Sequence, residues 1–168
     1  QKENTEVGDY SKNSQIEFSL KDDERFYGGG STSRKNIQHR GEVLRMWATY
    51  QKTEIPMPFL MSAAGWGVFN NTTSKNYFDV GSFQKDKLFV YNTDGSVDFY
   101  LMFGKSMNEV LNRYTTITGR SYVLPKWAYG LEFGGNTMEH QKDWMTDAVR
   151  FRDEKIPGDL FGQEPQWM

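Results

Sequence analysis

The chain has 168 residues, enough for one domain of ordinary size or for one domain and part of a second. Its 20 basic and 22 acidic residues give a net charge of −2, so charge provides no reason to expect binding to nucleic acid or to an anionic membrane. The absence of cysteine excludes disulfide bonds, and no apolar run approaches the ~20 residues of a membrane span.

Short strands dominate the first two thirds of the sequence. Residues 1–15 are polar, contain no apolar segment of the signal-peptide type, and are expected to be flexible. From there to Phe103, alternating apolar residues are interrupted by turn residues every eight to twelve positions, which is typical of an antiparallel β-sandwich. The predicted strands are residues 16–20, 43–47, 59–62, 65–69, 77–80, 88–91 and 97–103.

The last two of these strands are predicted to form a hairpin. They are separated by residues 92–95, which end in Asp94 and Gly95. Both residues adopt left-handed backbone at low cost, and an Asp-Gly pair between two apolar runs is a good hairpin signal. We therefore expect the two strands to pair across this turn.

A helix over residues 106–119 is predicted to close the first domain, 16–124. Ser106 and Glu109 have the spacing of a capping box, in which both side chains accept hydrogen bonds from free backbone amides at the helix start. Apolar side chains then recur at helical spacing, and Gly119 is a typical helix end. The apolar positions are Met107, Val110, Leu111, Tyr114 and Ile117.

After Pro125 the pattern changes to strand, helix, strand. Trp127–Phe133 is predicted as a buried strand, residues 136–139 as a second capping box, and Asp159–Gly162 as the next strand, with a helix through about Glu154 between them. Two parallel strands joined by a helix require a right-handed crossover. Residues 125–168 number only 44, against ~250 for a complete (β/α)8 barrel, so they are predicted to be the start of such a domain.

Metal and cofactor chemistry finds no support in the sequence. His39 and His140 are the only histidines and lack the spacing of metal ligands, and His140 is expected on the surface. The glycine runs 28–30 and 134–135 do not match phosphate-binding loops, and no nucleophile elbow of the GxSxG type is present. We therefore expect no metal and no cofactor.

Glu164 is the carboxylate with the most informative position. It follows a predicted strand, and substrate is held at the carboxyl ends of barrel strands. It could bind sugar hydroxyls or act as an acid or base, or it could simply face solvent. Asp159 lies at the opposite end of the strand and is expected to be structural, whereas Asp143 and Asp147 lie on the helix and are expected to be solvated. Trp167 either forms a wall of a pocket or packs in the barrel.

Aromatic residues make up 15% of the chain, and two explanations stay open. Phe, Tyr and Trp favour the half-buried surfaces of β-sheets, so they can simply form the core. Aromatic rings also stack on the apolar faces of pyranose sugars. The second explanation allows a carbohydrate-binding module, and the first allows a purely structural domain.

Several segments together resemble glycoside hydrolase family 31. Residues 24–30, ERFYGGG, are similar to the ERFYGLGE segment of that family. The resemblance continues in order through PFLMS (58–62), GWGVFN (65–70), FDVG (78–81), DFY (98–100), YTTITGR (114–120), LPKWAYG (124–130) and the segment from Ile156 to Met168. No single motif is decisive, and the resemblance rests on the occurrence of all of these motifs in the same order.

The resemblance implies a galactose-mutarotase-like β-sandwich followed by the first βαβ unit of a (β/α)8 barrel. It further implies hydrolysis of α-glycosides by a retaining mechanism, without a metal. The family's nucleophile and acid/base are aspartates on later barrel strands, so no catalytic residue is implied within this chain. Glu164 matches the strand-2 acid that hydrogen-bonds the sugar in the −1 subsite, and Trp167 and Phe133 are implied as further substrate-binding residues.

The implied partners are an oligosaccharide or glycoside substrate and the remainder of the barrel, and the habit of the family implies a secreted or periplasmic protein. The sequence also departs from the family pattern. Ser31 and Gly29 replace a usual acid and a common leucine, and Glu164 stands where many α-glucosidases have aspartate. Glucosidase, galactosidase, xylosidase, sulfosugar and transferase activities therefore stay open. A non-catalytic carbohydrate-binding or structural β-sandwich is the alternative.

Overall fold

The structure is a computed structural model that describes residues 14–31, 36–49, 55–135 and 140–163. The chain divides into two compact units, Gln1–Arg120 and Ser121–Met168, which we call the first and the second unit. The domain boundary predicted from the sequence follows residue 124. No helix in the described ranges is both long enough and apolar enough to cross a membrane.

The first unit is an antiparallel β-sandwich, which confirms the predicted fold class. One sheet has the strand order β1-β7-β6-β3 and the other the order β2-β4-β5-β8. In chain order the strands are β1 Gln15–Ser19, β2 Phe26–Ser31, β3 Val43–Met46, β4 Ile55–Ser62, β5 Trp66–Asn70, β6 Asn76–Val80, β7 Lys87–Asn92 and β8 Phe99–Phe103.

The core lies between the two sheets. Leu60 and Val68 from one sheet and Phe78 and Val90 from the other are fully buried and belong to one apolar cluster. Each such side chain contributes about 1.5–3 kcal/mol by leaving water. The apolar side chains of the two sheets thus form the contacts that hold the sandwich together.

The hairpin predicted between β7 and β8 is wrong, because the two strands lie in different sheets. β7 already pairs with β1 on one side and with β6 on the other, so neither of its edges is open to β8. Asn92 at its end is buried: its Oδ1 accepts a hydrogen bond from Nδ2 of Asn70 at 2.8 Å, and its own Nδ2 donates to the carbonyl of Ser96 at 3.0 Å. The following residues carry the chain from one sheet to the other, with Gly95 at a positive φ of 73°.

β2 was not predicted, because its centre consists of three consecutive glycines. A Cβ on Gly28 would lie 2.6 Å from the carbonyl oxygen of Phe59 in the neighbouring strand, and Gly28 has φ of 120°. The register between β2 and β4 shifts between Gly28 and Gly30. Glycine here permits close approach of the β2 and β4 backbones and a β-bulge. A prediction of strands from residue propensities does not detect this role.

The predicted closing helix is confirmed as α1, Met107–Thr118, with Ser106 as its N-cap and Gly119 as its C-cap. The hydroxyl of Ser106 accepts a hydrogen bond from the amide of Glu109 at 3.3 Å. The Glu109 carboxylate accepts from the amide of Lys105 at 3.0 Å, one residue earlier than a regular capping box requires. Buried Val110 attaches the helix to the second sheet.

The second unit is a parallel βαβ unit, as predicted. A 3₁₀ helix, Lys126–Tyr129, precedes β9 Glu132–Gly135, α2 Gln141–Asp153 and β10 Leu160–Gln163. β9 and β10 pair in parallel. The buried strand predicted over Trp127–Phe133 is wrong for its first part, because Pro125 starts a tight turn in which the amide of Ala128 donates to the Pro125 carbonyl at 2.9 Å.

α2 begins after His140, which is exposed, and the backbone amide of His140 donates to the Asp143 carboxylate at 2.9 Å. The second capping box, predicted at 136–139, lies outside the described residues.

Candidate functional site

The carboxyl ends of β9 and β10 form one edge of the parallel pair. The register runs from Glu132 opposite Leu160 to Gly135 opposite Gln163, so both strands end at the same level. Glu164 is the next residue in the chain. In parallel α/β architectures ligands bind at this edge, since the loops that follow the strands meet there. This edge is therefore the candidate site, although Glu164 and Trp167 themselves lie outside the described residues.

Phe133 lies between the strands and α2. Its ring centroid is 5.1 Å from that of Phe151 and 6.0 Å from that of Trp144, both on α2. It is also 5.7 Å from the ring of Phe161, its register partner in β10. The four rings form a cluster that holds the helix against the strands. This placement supports a packing role for Phe133, and its contact with substrate stays a prediction.

Glu132 lies on the other face of the strand pair. Successive side chains of a strand point to opposite faces, and Phe133 points towards α2. A Cβ on Gly162 would lie 2.9 Å from Oε1 of Glu132, so this glycine leaves room for the carboxylate. Glu132 was not predicted as a site residue, and the period-two alternation beside Phe133 is the signal in the sequence that places its side chain on the opposite face of the strand.

Asp159 lies at the entry of β10, as expected from the sequence. Its amide donates to the carbonyl of Leu131 at 3.0 Å. Its carboxylate lies against the backbone of Gly130 and leaves no space for a side chain there. Both contacts support a structural role at the end of the strands opposite to the candidate site.

The surface of α2 carries an ion pair. Nε of Arg150 donates to Oε1 of Glu154 at 2.7 Å. The hydrogen bond and the negative charge of Glu154 raise the pKa of the Arg150 guanidinium above its ordinary value. The ion pair therefore favours the charged form of Arg150 on the exposed surface of α2.

The first unit contains a buried carboxylate, Glu24. Its Oε1 accepts hydrogen bonds from the hydroxyl of Ser62 and from Nε1 of Trp66, both at 2.5 Å. Its Oε2 accepts from the amide of Lys21 at 3.0 Å. Charge-assisted bonds of this kind compensate the cost of burying a carboxylate. Glu24 therefore ties the loop before β2 to β4 and β5.

His39 is also buried, and it links two other segments. Its Nδ1 is 3.0 Å from Oε2 of Glu42, and its Nε2 is 3.1 Å from the carbonyl oxygen of Gly28. Within the described ranges, no group of three or more histidine, aspartate or glutamate residues could hold a metal ion. Glu24 and His39 are thus both engaged in structural contacts within the sandwich.

Sandwich and βαβ unit together define the class of protein: a β-domain that precedes a parallel α/β domain. Residues 1–79 match the model of the glycosyl hydrolase 31 N-terminal galactose mutarotase-like domain. An α-xylosidase from Saccharolobus solfataricus is 31% identical over 165 residues, which cover 94% of this chain and 22% of that protein. An isomaltosyltransferase from Sporosarcina globispora is 29% identical, with 86% of this chain and 14% of that protein covered.

Among solved structures, a family 31 dextranase from Flavobacterium johnsoniae in complex with glucose superposes with a TM-score of 0.82 at 30% identity. The match covers 96% of this chain and 21% of the dextranase chain. The chain is thus similar to an N-terminal part of glycoside hydrolase family 31 proteins. It spans about a fifth of the length of the α-xylosidases that it matches.

Proposed function

We propose that the protein to which this chain belongs hydrolyses α-linked glycosides of oligosaccharides with retention of configuration. In this proposal the chain supplies the sandwich, the first βαβ unit and one substrate-binding acid, Glu164. The observation that carries the proposal is the position of this acid directly after Gln163, the last residue of β10, at the edge where both parallel strands end. A carboxylate there can accept hydrogen bonds from two sugar hydroxyls.

The catalytic pair is proposed to come from later barrel strands. A retaining glycosidase needs two carboxyl groups ~5–5.5 Å apart. At the carboxyl edge the described strands end in Gly135 and Gln163, neither of which carries a carboxyl group. Glu132 and Asp159 lie near the other end of the strands. The resemblance to family 31 assigns the nucleophile and the acid/base to later strands, so the proposed role of Glu164 is binding.

The substrate class follows from the relatives in part. The matching proteins include α-xylosidases, an α-glucosidase and an isomaltosyltransferase, and one matching structure is a dextranase mutant complexed with isomaltotriose. We propose an α-linked glucose- or xylose-containing saccharide. The side chain of Glu164 reaches further than the aspartate of many α-glucosidases. We therefore expect Glu164 to determine the preference between glucose- and xylose-containing substrates.

The test is a kinetic comparison of Glu164→Gln and Glu164→Asp in the longer protein, with α-glucosides and α-xylosides as substrates. Loss of a charge-assisted hydrogen bond costs about 1.5–3 kcal/mol, so Glu164→Gln should lower kcat/KM about 10- to 100-fold. Glu164→Asp should change the ratio of activities on the two sugars. Glu132→Gln, a carboxylate near the opposite end of the strands, serves as the matched control.

Unchanged kinetics of Glu164→Gln would contradict the assignment of Glu164. The anomeric configuration of the first product, followed by proton NMR, tests retention, and an inverted product would reject the mechanism. The purified 168-residue chain should not hydrolyse α-glucosides or α-xylosides. Hydrolysis by this chain would contradict the proposal that the catalytic pair comes from later strands.

A further inference from the structure

The first unit contains a pocket that none of the roles above uses. It is an open cavity of about 360 Å³ at the edge of the sandwich where β3 ends and β6 begins. Its apolar lining includes Trp47, Pro56 and Pro58, and its polar lining includes Thr72, Ser74 and Asn76. The lining side chains within the described residues are uncharged.

Trp47 contributes a large apolar surface to this pocket. It follows β3 directly, and 45% of the residue is exposed although it lines a cavity. Exposure of an aromatic ring beside polar groups is typical of ligand pockets, in which apolar walls surround a few polar groups that fix orientation. The flat face of an indole ring matches the apolar C–H face of a pyranose.

Asn76 contributes an unused hydrogen-bond acceptor. The residue is only 2% exposed and lines the pocket. Its Nδ2 donates to the carbonyl of Ser74 at 2.9 Å, whereas its Oδ1 has no hydrogen-bond partner among the described residues. A buried polar atom without a partner is costly, and such atoms in native proteins call for an explanation. A ligand donor in the pocket reaches this oxygen by a rotation of the amide about χ2, in which Nδ2 gives up its bond to the Ser74 carbonyl.

We propose that this pocket binds a neutral pyranose unit of an oligosaccharide. The described lining residues offer no charge to pair with a charged ligand, and a purely apolar ligand would leave Oδ1 of Asn76 buried without a donor. A sugar satisfies both conditions, since its ring face covers Trp47 while a hydroxyl donates to Asn76. The volume is near the lower end of the ~300–1,000 Å³ of small-molecule sites, which suits one or two sugar units. The proposal goes beyond hydrolysis, because binding here needs no catalytic group.

The experiment is a titration of the 168-residue chain with isomaltotriose, maltotriose and the acyclic polyol sorbitol, followed by tryptophan fluorescence and ligand-observed NMR. We expect saturable binding of at least one trisaccharide, with a Kd of about 1 mM. Trp47→Ala should weaken this binding about tenfold or more, and Trp47→Phe should retain part of it. Trp127→Ala removes a similarly exposed tryptophan in the second unit and should leave binding unchanged.

Circular dichroism of each variant establishes that the sandwich is folded. Three results would overturn the proposal: no saturable binding of either trisaccharide up to about 50 mM, equal affinities of Trp47→Ala and the parent chain, or equal binding of sorbitol. None of these results bears on hydrolysis, which is measured with the longer protein, so failure of this proposal and failure of the proposed function are distinguishable.

Discussion

Gly67 in β5 lies directly beneath α1, and replacing it by alanine should destabilise the sandwich. An added Cβ would meet Cγ1 of Val110 at 2.8 Å. It would also lie 3.0 Å from the carbonyl oxygen of Leu60 and 3.1 Å from Cε2 of Phe59. Overpacking of this kind typically costs about 1–3 kcal/mol, which is the loss we expect for Gly67→Ala.

Val110→Ala should be destabilising for the opposite reason. Val110 is fully buried and attaches α1 to the sheet. Truncation removes two methyl groups, worth about 1.6 kcal/mol in transfer free energy, and leaves a small cavity. The better helix propensity of alanine offsets up to about 0.6 kcal/mol. The net loss is about 2 kcal/mol.

The double variant should lose less than the sum of the two single losses, because Val110→Ala removes the atom that the new Cβ would meet. We expect a coupling free energy of about 1 kcal/mol in favour of the double variant. The recovery should be partial, since the contacts with Leu60 and Phe59 remain. Urea unfolding of the four proteins, followed by far-UV circular dichroism, measures the cycle.

Gly95→Ala provides the control for this cycle. Gly95 has φ of 73°, but no atom lies within 4 Å of a Cβ built on it, so its loss comes from backbone strain alone. Combined with Val110→Ala it should be additive within about 0.5 kcal/mol. If the Gly67 and Val110 losses are additive as well, the close contact between β5 and α1 is not the cause, and the reasoning is refuted.

Two further predictions concern polar contacts of the first unit. Glu24→Gln should lower the free energy of unfolding by about 1.5–3 kcal/mol, because the amide oxygen can keep the bonds from Ser62 and Trp66 but the amide nitrogen would then face the backbone amide of Lys21. Equal urea midpoints for this variant and the parent would contradict the role of the buried carboxylate. Ser106→Ala should cost about 1 kcal/mol by leaving the amide of Glu109 without its cap, and Ser106→Asp should restore most of that loss in the same measurement. A loss for Ser106→Asp as large as for the alanine variant would argue against capping as the cause.

The candidate site was predictable from the sequence only as a position along the chain. An acid directly after an apolar strand indicates the carboxyl edge of a parallel pair, and the register of β9 and β10 brings the two strand ends to that edge. The burial of His39 and Glu24 was not predictable, since their partners Gly28 and Trp66 lie 11 and 42 positions away. Contacts over such distances leave no periodic pattern in the sequence.

Local interactions explain what the sequence by itself determined. Alternation with period two marked most strands of the sandwich, and the spacing of Ser106, Glu109 and Gly119 located α1 within one residue at each end. These features depend on neighbours within a few positions, so they can be read directly from the chain.

Only the tertiary structure decided which strands share a sheet. Asp94 and Gly95 lie in a bend, not in the predicted hairpin turn, and β8 leaves β7 for the other sheet, because β1 and β6 already occupy both edges of β7. The turn residues fix the direction of the chain locally, but they do not fix the partner of the strand that follows. Pairing depends on backbone hydrogen bonds and buried side chains from distant parts of the chain, and those become neighbours only when the whole sandwich closes.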